Sequence, residues 1–231
     1  PLNAIVSHND VDGWRYQASL QTTGNLSPHL FVRGYGAYGT KDKKMKYKAE
    51  VEYSFNKKKY MAHEFPRRSI TASYMYDDMS PVDKFSNTSK DNVYSSFKTS
   101  KVDQMMYVND MKLKFNYETN NYITWTATLD HSKLTPTGKL VYLRNGDYNN
   151  GVETLIPHIK TSDVKFGFRY APRETFINSK QQRLHINKDA PIFTLEHTIG
   201  MDGFMGGQYN YNITEATIFK KFWLPGACGS I

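Results

Sequence analysis

The chain has 231 residues, 39% of them hydrophobic and 14% aromatic, and its 30 Lys and Arg outnumber its 22 Asp and Glu, for a formal net charge of +8. This length suits one all-β domain spanning residues 1–231, and the sequence has no run of ~20 apolar residues of the kind that a membrane-spanning helix needs. A lone Cys228 excludes an intramolecular disulfide framework. The basic residues are interleaved with acids, so we expect no nucleic-acid partner.

A strict two-residue alternation of apolar and polar side chains recurs along the chain, in segments about ten residues long. Successive side chains of a strand point to opposite faces, so each segment predicts a strand with one apolar and one polar face. The predicted strands, about nine in number, cover residues 14–21, 30–39, 46–55, 68–76, 110–118, 123–130, 163–170, 192–201 and 209–223.

The two faces of these strands predict two environments. A Lys at the midplane of a bilayer costs about 2–4 kcal/mol, so apolar side chains should face lipid and charged ones a lumen. The side chains that we expect to face lipid are Tyr47, Ala49, Val51, Tyr53, Leu113, Phe115, Trp125, Ala127, Val164, Phe166 and Phe168. Those that we expect to face the lumen are Lys48, Glu50, Lys112, Lys114, Thr126 and Lys165.

Strand length favours a partial antiparallel transmembrane β-barrel over a soluble fold. Strands of about 9–11 residues match a tilted membrane crossing, whereas strands of soluble proteins are usually about 5–6 residues long. Aromatic side chains near the segment ends match the girdles of such barrels. The alternative is a soluble antiparallel β-sandwich with one solvated face.

The links between strands are unequal in length. Outer-membrane barrels have short periplasmic turns and longer extracellular loops, so we expect the long links at residues 77–107 and 131–160 to lie together on the extracellular side. The two strands between them should be joined by a two-residue hairpin turn at Asn120–Asn121.

The strand count predicts an incomplete barrel with two unpaired edge strands. Single-chain bacterial barrels have an even number of strands, and unpaired backbone groups are costly in hydrocarbon. Residues 14–21 and 209–223 should therefore be edges that pair with the remaining strands of the same protein or with another envelope protein. The chain begins with Pro1 and shows no signal peptide, so we expect a processed or excised portion.

The sequence motifs predict no enzyme, cofactor or metal. The pair His63-Glu64 lacks the second His of a metalloprotease motif, and Pro66 would break its helix. Four acids could bind Ca²⁺ but match no EF-hand, and three glycines lie within a strand, where they allow a bend or a close backbone approach. The acids are Asp77, Asp78, Asp83 and Asp91, and the glycines are Gly34, Gly36 and Gly39.

Several segments, in order along nearly the whole chain, carry a family resemblance. They are SHNDVDG (7–13), GYGAYGTKDKK (34–44), FPRRSITASYMYD (65–77), KDNV (90–93), VDQMMY (102–107), RYAPRETF (169–176), DAPIFTL (189–195) and YNYNITEA (209–216). They resemble an uncharacterised outer-membrane β-barrel family of Bacteroidota, whose members are named for a carboxypeptidase-like regulatory domain. The resemblance implies a small periplasmic β-sandwich followed by a large barrel, of which this chain would be the middle portion. It implies no peptidase and transfers no catalytic residue.

These observations predict a non-enzymatic protein of the bacterial outer membrane. Its partners would be outer-membrane lipid and further strands, and its role would be that of a transport channel or of a subunit of an envelope complex. The alternative function is that of a soluble all-β module that binds a glycan or a protein, with tyrosines as stacking platforms.

Overall fold

The computed structural model describes residues 5–81, 104–143, 155–180, 183–187 and 190–221. Within these ranges the chain forms mostly strands, with a short 3-10 turn at Phe204–Gly206. None of the helical structure in these ranges is long and apolar enough to cross a membrane. The strands are β1 (Val6–Asn9), β2 (Gly13–Gln21), β3 (Leu30–Gly39), β4 (Met45–Ser54), β5 (Arg68–Met79), β6 (Gln104–Glu118), β7 (Ile123–Gly138), β8 (Tyr142–Leu143), β9 (Leu155–Ile156), β10 (Ile159–Tyr170), β11 (Thr175–Asn178), β12 (Arg183–Asn187), β13 (Ile192–Gly200) and β14 (Tyr211–Phe219).

One antiparallel sheet of ten strands dominates the fold, in the order β1-β2-β3-β4-β5-β6-β7-β10-β13-β14. The all-β, antiparallel prediction is confirmed, and each of the nine predicted strands has its counterpart in this sheet. The prediction missed β1, which pairs with β2 from Val6 opposite Tyr16 to Asn9 opposite Gly13. Four residues are too few for a two-residue period to stand out.

The sheet is open, with β1 and β14 at its two edges. Among the described residues, β14 pairs with β13 alone, and residues 14–21 are not bonded to residues 209–223. The prediction of an edge at β14 is confirmed. The prediction of an edge at residues 14–21 is wrong in part, because β1 covers the first half of β2 and leaves only its second half open.

The two long links are shorter than predicted, because strands run into them. Strand β5 continues to Met79 and β6 already begins at Gln104, while β7 continues to Gly138 and β10 begins at Ile159. The antiparallel order puts both links at the same edge of the sheet, here called the upper edge. The strand order therefore places both links on one side of the sheet, as predicted. That this side is extracellular stays a prediction.

The hairpin between β6 and β7 is wider than the predicted Asn120–Asn121 turn. Four residues separate the strands, and Tyr122, with a φ of 63°, supplies the left-handed conformation. The backbone N–H of Thr119 donates to the carbonyl of Ile123 over 2.9 Å and closes the loop. This hairpin lies at the opposite, lower edge of the sheet.

The register separates the side chains of the sheet into an apolar face and a polar face. All eleven residues predicted to face lipid share the apolar face, and the six predicted to face a lumen share the polar face. Most of the large apolar side chains are exposed, whereas Lys46, Glu52 and Ser69 on the polar face are buried, although no second layer of strands covers them in the part of the chain that the structure describes.

Curvature of the sheet explains that burial. Arg15 on β2 contacts Asp77 on β5 at 2.6 Å, although three interstrand steps amount to ~14 Å on a flat sheet. The polar face is therefore concave and the apolar face convex. The eleven residues lie on the outside of the curve and the six on the inside; contact with lipid stays a prediction.

A small hydrophobic core fills the upper end of the concave face. Met79, Met106, Val108 and Leu134 are buried together, with Ile159 and other apolar side chains packed against them. This core consists of residues that the sequence assigned to links or left outside strands. On β6 and β7 it takes the place of the ion pairs found lower on the same strands, and it connects the extensions of β5, β6, β7 and β10.

Candidate functional site: the concave polar face

The upper third of the concave face carries a buried cluster of opposite charges. The guanidinium of Arg15 binds Asp77 through two bonds of 2.6 and 2.9 Å and also contacts Asp78 at 3.1 Å. The ammonium of Lys46 contacts Asp12 and donates to Asp42 over 2.7 Å. Lys46 and Asp12 are fully buried, and removing one partner of a buried ion pair costs about 3–5 kcal/mol.

Gly39 is the position that makes room for this cluster. A Cβ at residue 39 would lie 2.3 Å from Asp42 Oδ1 and 3.0 Å from Lys46 Nζ, whereas a Cβ at Gly36, on the opposite face of the same strand, would meet nothing within 4 Å. The predicted close approach is therefore found at Gly39 and also at Gly34, where a Cβ would lie 2.5 Å from the backbone carbonyl oxygen of Lys48, and it is absent at Gly36.

A second network lies lower on the concave face. Arg67 binds Glu52 through two bonds of 2.9 Å, and Ser69 donates to the same carboxylate over 2.7 Å. Arg33 sits directly opposite Glu50 in the register and donates to it over 2.7 Å. Bidentate Arg–carboxylate pairs are directional as well as strong, so this network fixes the positions of β3, β4 and β5 relative to each other.

A third network continues the charged lining toward β14. Lys112 contacts Asp110 at 2.7 Å and Asp130, its cross-strand neighbour, at 2.8 Å. Lys165 contacts Glu196 at 3.6 Å. The concave face thus presents both signs of charge along its whole width, which is a lining suited to water and polar solutes.

The lower edge carries a structured link between β4 and β5. The buried ammonium of Lys58 donates to the carbonyls of Glu64 and Pro66, both over 2.6 Å, and burial lowers the pKa of Lys58. Burial would raise the pKa of Glu64, but hydrogen bonds from the backbone N–H groups of residues 59–61 lower it below its ordinary value. Glu64 therefore organises the turn within this link, where the sequence placed the pair His63-Glu64.

A hairpin is fastened to the same edge. We name β11 and β12 the lower-edge clasp. Its Arg183 binds Glu118 at 2.8 Å and lies 3.5 Å from the ring centre of Phe176, which stacks on Phe65. A cavity of about 370 Å³ lies between this clasp and the hairpin of β6 and β7. The clasp therefore lies along the lower edge of the concave face.

The predicted lumen residues belong to these networks only in part. Glu50, Lys48 and Lys112 form ion pairs within them, and Lys165 forms a longer one. The prediction missed the central residues of the networks, which are Arg15, Lys46, Glu52, Arg67, Asp77 and Asp110. The sequence feature that could have identified them is the alternation of polar and apolar residues, since each is a charged residue at or beside a polar position of a strand.

The acids considered for Ca²⁺ do not form a metal site in the described part of the chain. No group of three or more His, Cys, Asp or Glu there could hold a metal ion. Asp77 and Asp78 lie in the last three residues of β5 and pair with Arg15, while Asp83 and Asp91 lie outside the described residues.

These features define a class: a curved, open antiparallel wall with an exposed apolar outside and an ion-paired inside. Residues 1–227 match the family described as "Family of unknown function (DUF5686) C-terminal domain", and the chain belongs to that family. This agrees with the expectation of an uncharacterised family. No curated protein matches the chain.

Proposed function

We propose that this chain is part of the wall of a bacterial outer-membrane β-barrel, non-enzymatic, that serves as a transport channel or as a subunit of an envelope complex. The observation that carries the proposal is the convex face, where large apolar side chains such as Val51, Leu113 and Phe166 are exposed. Exposed apolar patches of this extent mark a membrane or a protein interface. The charged concave face, with its ion pairs, would line the lumen.

The border of the apolar surface supports a membrane position. On β4 the apolar side chains of the convex face reach Tyr47 and beyond, whereas on β10 the uppermost one is Val164. The row of cross-strand partners that starts at Tyr47 runs through β5, β6 and β7 and reaches β10 at Lys160. Lys160 lies four residues nearer the upper edge than Val164. Between β4 and β10 the border of the apolar surface therefore moves ~13 Å toward the lower edge, over four interstrand steps of ~4.8 Å each. The angle between this border and the rows of cross-strand partners is at least ~35°.

This slope is the one that tilted membrane strands require. A bilayer cuts a horizontal band through a barrel whose strands lean by about 35–45°, so the apolar band must cross the hydrogen-bonded rows at that angle. In a soluble sandwich the apolar surface is the core-facing side of the sheet. No external plane then requires its border to cross the rows of cross-strand partners at this angle.

The open edges support a larger assembly. Strand β14 and the lower half of β2 present backbone N–H and C=O groups without a strand partner among the described residues. In hydrocarbon each such group costs several kcal/mol, so further strands, from the same protein or from another envelope protein, would complete the wall.

Site-directed fluorescence quenching tests the proposal. Single cysteines at Val51 and Leu113 on the convex face, and at Lys48 and Lys165 on the concave face, are labelled in a protein whose Cys228 has been changed to Ser. A lipid-borne quencher should act on the convex pair and an aqueous quencher on the concave pair. Aqueous quenching at all four positions, with the protein soluble in buffer without detergent, would contradict the proposal and favour the soluble binding module.

A further inference from the structure

The convex face has a groove in its centre. The small side chains of Ala49 and Ala72 form its floor, Tyr74 and Met111 stand beside it, and the cavity measures about 430 Å³. Met205, from the turn between β13 and β14, closes one side. That turn is held in place by hydrogen bonds to the backbone of β10 at residues 160 and 162.

Two lysines face each other just above this groove. Lys133 and Lys160 are direct cross-strand neighbours on the convex face, one row above His131, which lines the groove. Like charges directly opposite each other destabilise a sheet. In the described part of the chain neither lysine forms an ion pair with a carboxylate.

An imidazole stands beside this pair. Desolvation and the nearby ammonium groups of Lys133 and Lys160 lower the pKa of His158, so the imidazole is mostly uncharged at neutral pH and the positive charge comes from the two lysines. The upper end of the groove is therefore a cationic patch without a described counter-ion, at the border where the apolar surface of β7 and β10 ends.

We propose that this place binds one phosphorylated membrane lipid. Lys133 and Lys160 bind its phosphate, and an acyl chain lies in the groove over Ala49 and Ala72. The inference rests on the proposed function, since only a convex face in contact with a bilayer meets a lipid in this orientation.

Charge and position favour a lipid over other occupants. A phosphate between the two ammonium groups would relieve their repulsion through charge-assisted hydrogen bonds, and basic pockets at membrane borders are known sites for anionic head groups. A free phosphate would leave the groove empty, and an apolar helix of a partner would leave the lysines without a counter-ion. A phosphorylated lipid would supply both the phosphate for the two lysines and the acyl chain for the groove.

Three matched probes test the proposal on the full-length protein extracted in a non-ionic detergent. Phosphatidic acid carries both the phosphate and the acyl chains, diacylglycerol carries only the chains, and glycerol phosphate carries only the phosphate. Native mass spectrometry should show phosphatidic acid bound about tenfold or more tightly than either of the other two. Equal binding of phosphatidic acid and diacylglycerol would overturn the proposal without any variant.

Variants assign the binding to this place. The double change Lys133→Gln with Lys160→Gln should lower the affinity for phosphatidic acid about tenfold, and Ala72→Phe should lower it by filling the groove. The matched controls are Lys57→Gln with Lys59→Gln at the lower edge, and Ala18→Phe elsewhere on the convex face. Equal losses in variants and controls would place the lipid somewhere else.

Failure of this inference and failure of the proposed function look different. A protein that stays in the aqueous fraction without detergent overturns the proposed function. A protein that needs detergent but does not discriminate among the three probes overturns only the lipid site.

Discussion

Val51→Lys separates a membrane wall from a soluble sheet. Val51 lies on the convex face, is 43% exposed, and has Val32 and Ala72 as its cross-strand neighbours. It stands midway between Tyr47 on the same strand and Phe55, the residue directly after the end of that strand. In the proposed barrel this position is close to the bilayer midplane, far from the head groups that a lysine could reach.

The two readings differ in the size of the expected effect. At the midplane a lysine costs about 2–4 kcal/mol, which lowers the folding equilibrium constant roughly 30- to 1,000-fold. In water, a substitution at an exposed site usually changes stability by less than about 0.5 kcal/mol, and lower strand propensity adds at most about 1 kcal/mol. The difference exceeds ordinary experimental error.

The assay is reversible folding of the full-length protein into lipid vesicles in a urea series, followed by tryptophan fluorescence and by heat-dependent gel mobility. Ser19→Lys, on the concave face and exposed, serves as the control, because substitutions facing a lumen carry little of this cost. Val51→Lys should shift the midpoint strongly and Ser19→Lys should not. Equal small shifts for the two variants would refute the assignment of the convex face to lipid.

Three further predictions concern the networks and the links. Gly39→Ala should destabilise the fold by about 1–3 kcal/mol, the usual cost of overpacking, because the new Cβ would meet Asp42 Oδ1 and Lys46 Nζ and these charged ends would have to shift within a buried cluster, while Gly36→Ala should leave the unfolding midpoint nearly unchanged. The lower-edge clasp should loosen in acid: burial would raise the pKa of Glu174, but bonds from Arg169 and His185 hold it below 4.5, so its contribution is complete above that pH and is lost as the pH falls through the lowered value. The protection factors of the clasp amides, corrected for the intrinsic exchange rate at each pH, should therefore fall in the wild type at low pH, and Glu174→Gln, already loose at neutral pH, should show a smaller change. Cysteines placed in the links at residues 77–107 and 131–160 should both react with an impermeant reagent outside intact cells, and labelling of only one link would contradict the shared extracellular side.

The two faces of the wall could be read from the sequence, because side-chain direction along a strand has a period of two whatever the surroundings. Eleven apolar and six polar positions could be assigned to opposite faces in this way, and the register keeps each set together. Where the period fails, the prediction failed too. Residues 105–108, Met-Met-Tyr-Val, are buried on both faces at one end of β6: Met106 and Val108 belong to the small core, and Tyr107 stacks on Tyr76 on the other face. They have no two-residue period and were left outside the strand.

The ion pairs could only be found in the tertiary structure. Arg15 and Asp77 are 62 positions apart in the chain and three strands apart in the sheet, and they meet because the sheet curves. The opposition of Lys133 and Lys160 depends in the same way on the register between β7 and β10, which the loop lengths do not reveal. Local alternation determines which way a side chain points, whereas its partner depends on strand pairing and curvature, which are properties of the whole sheet.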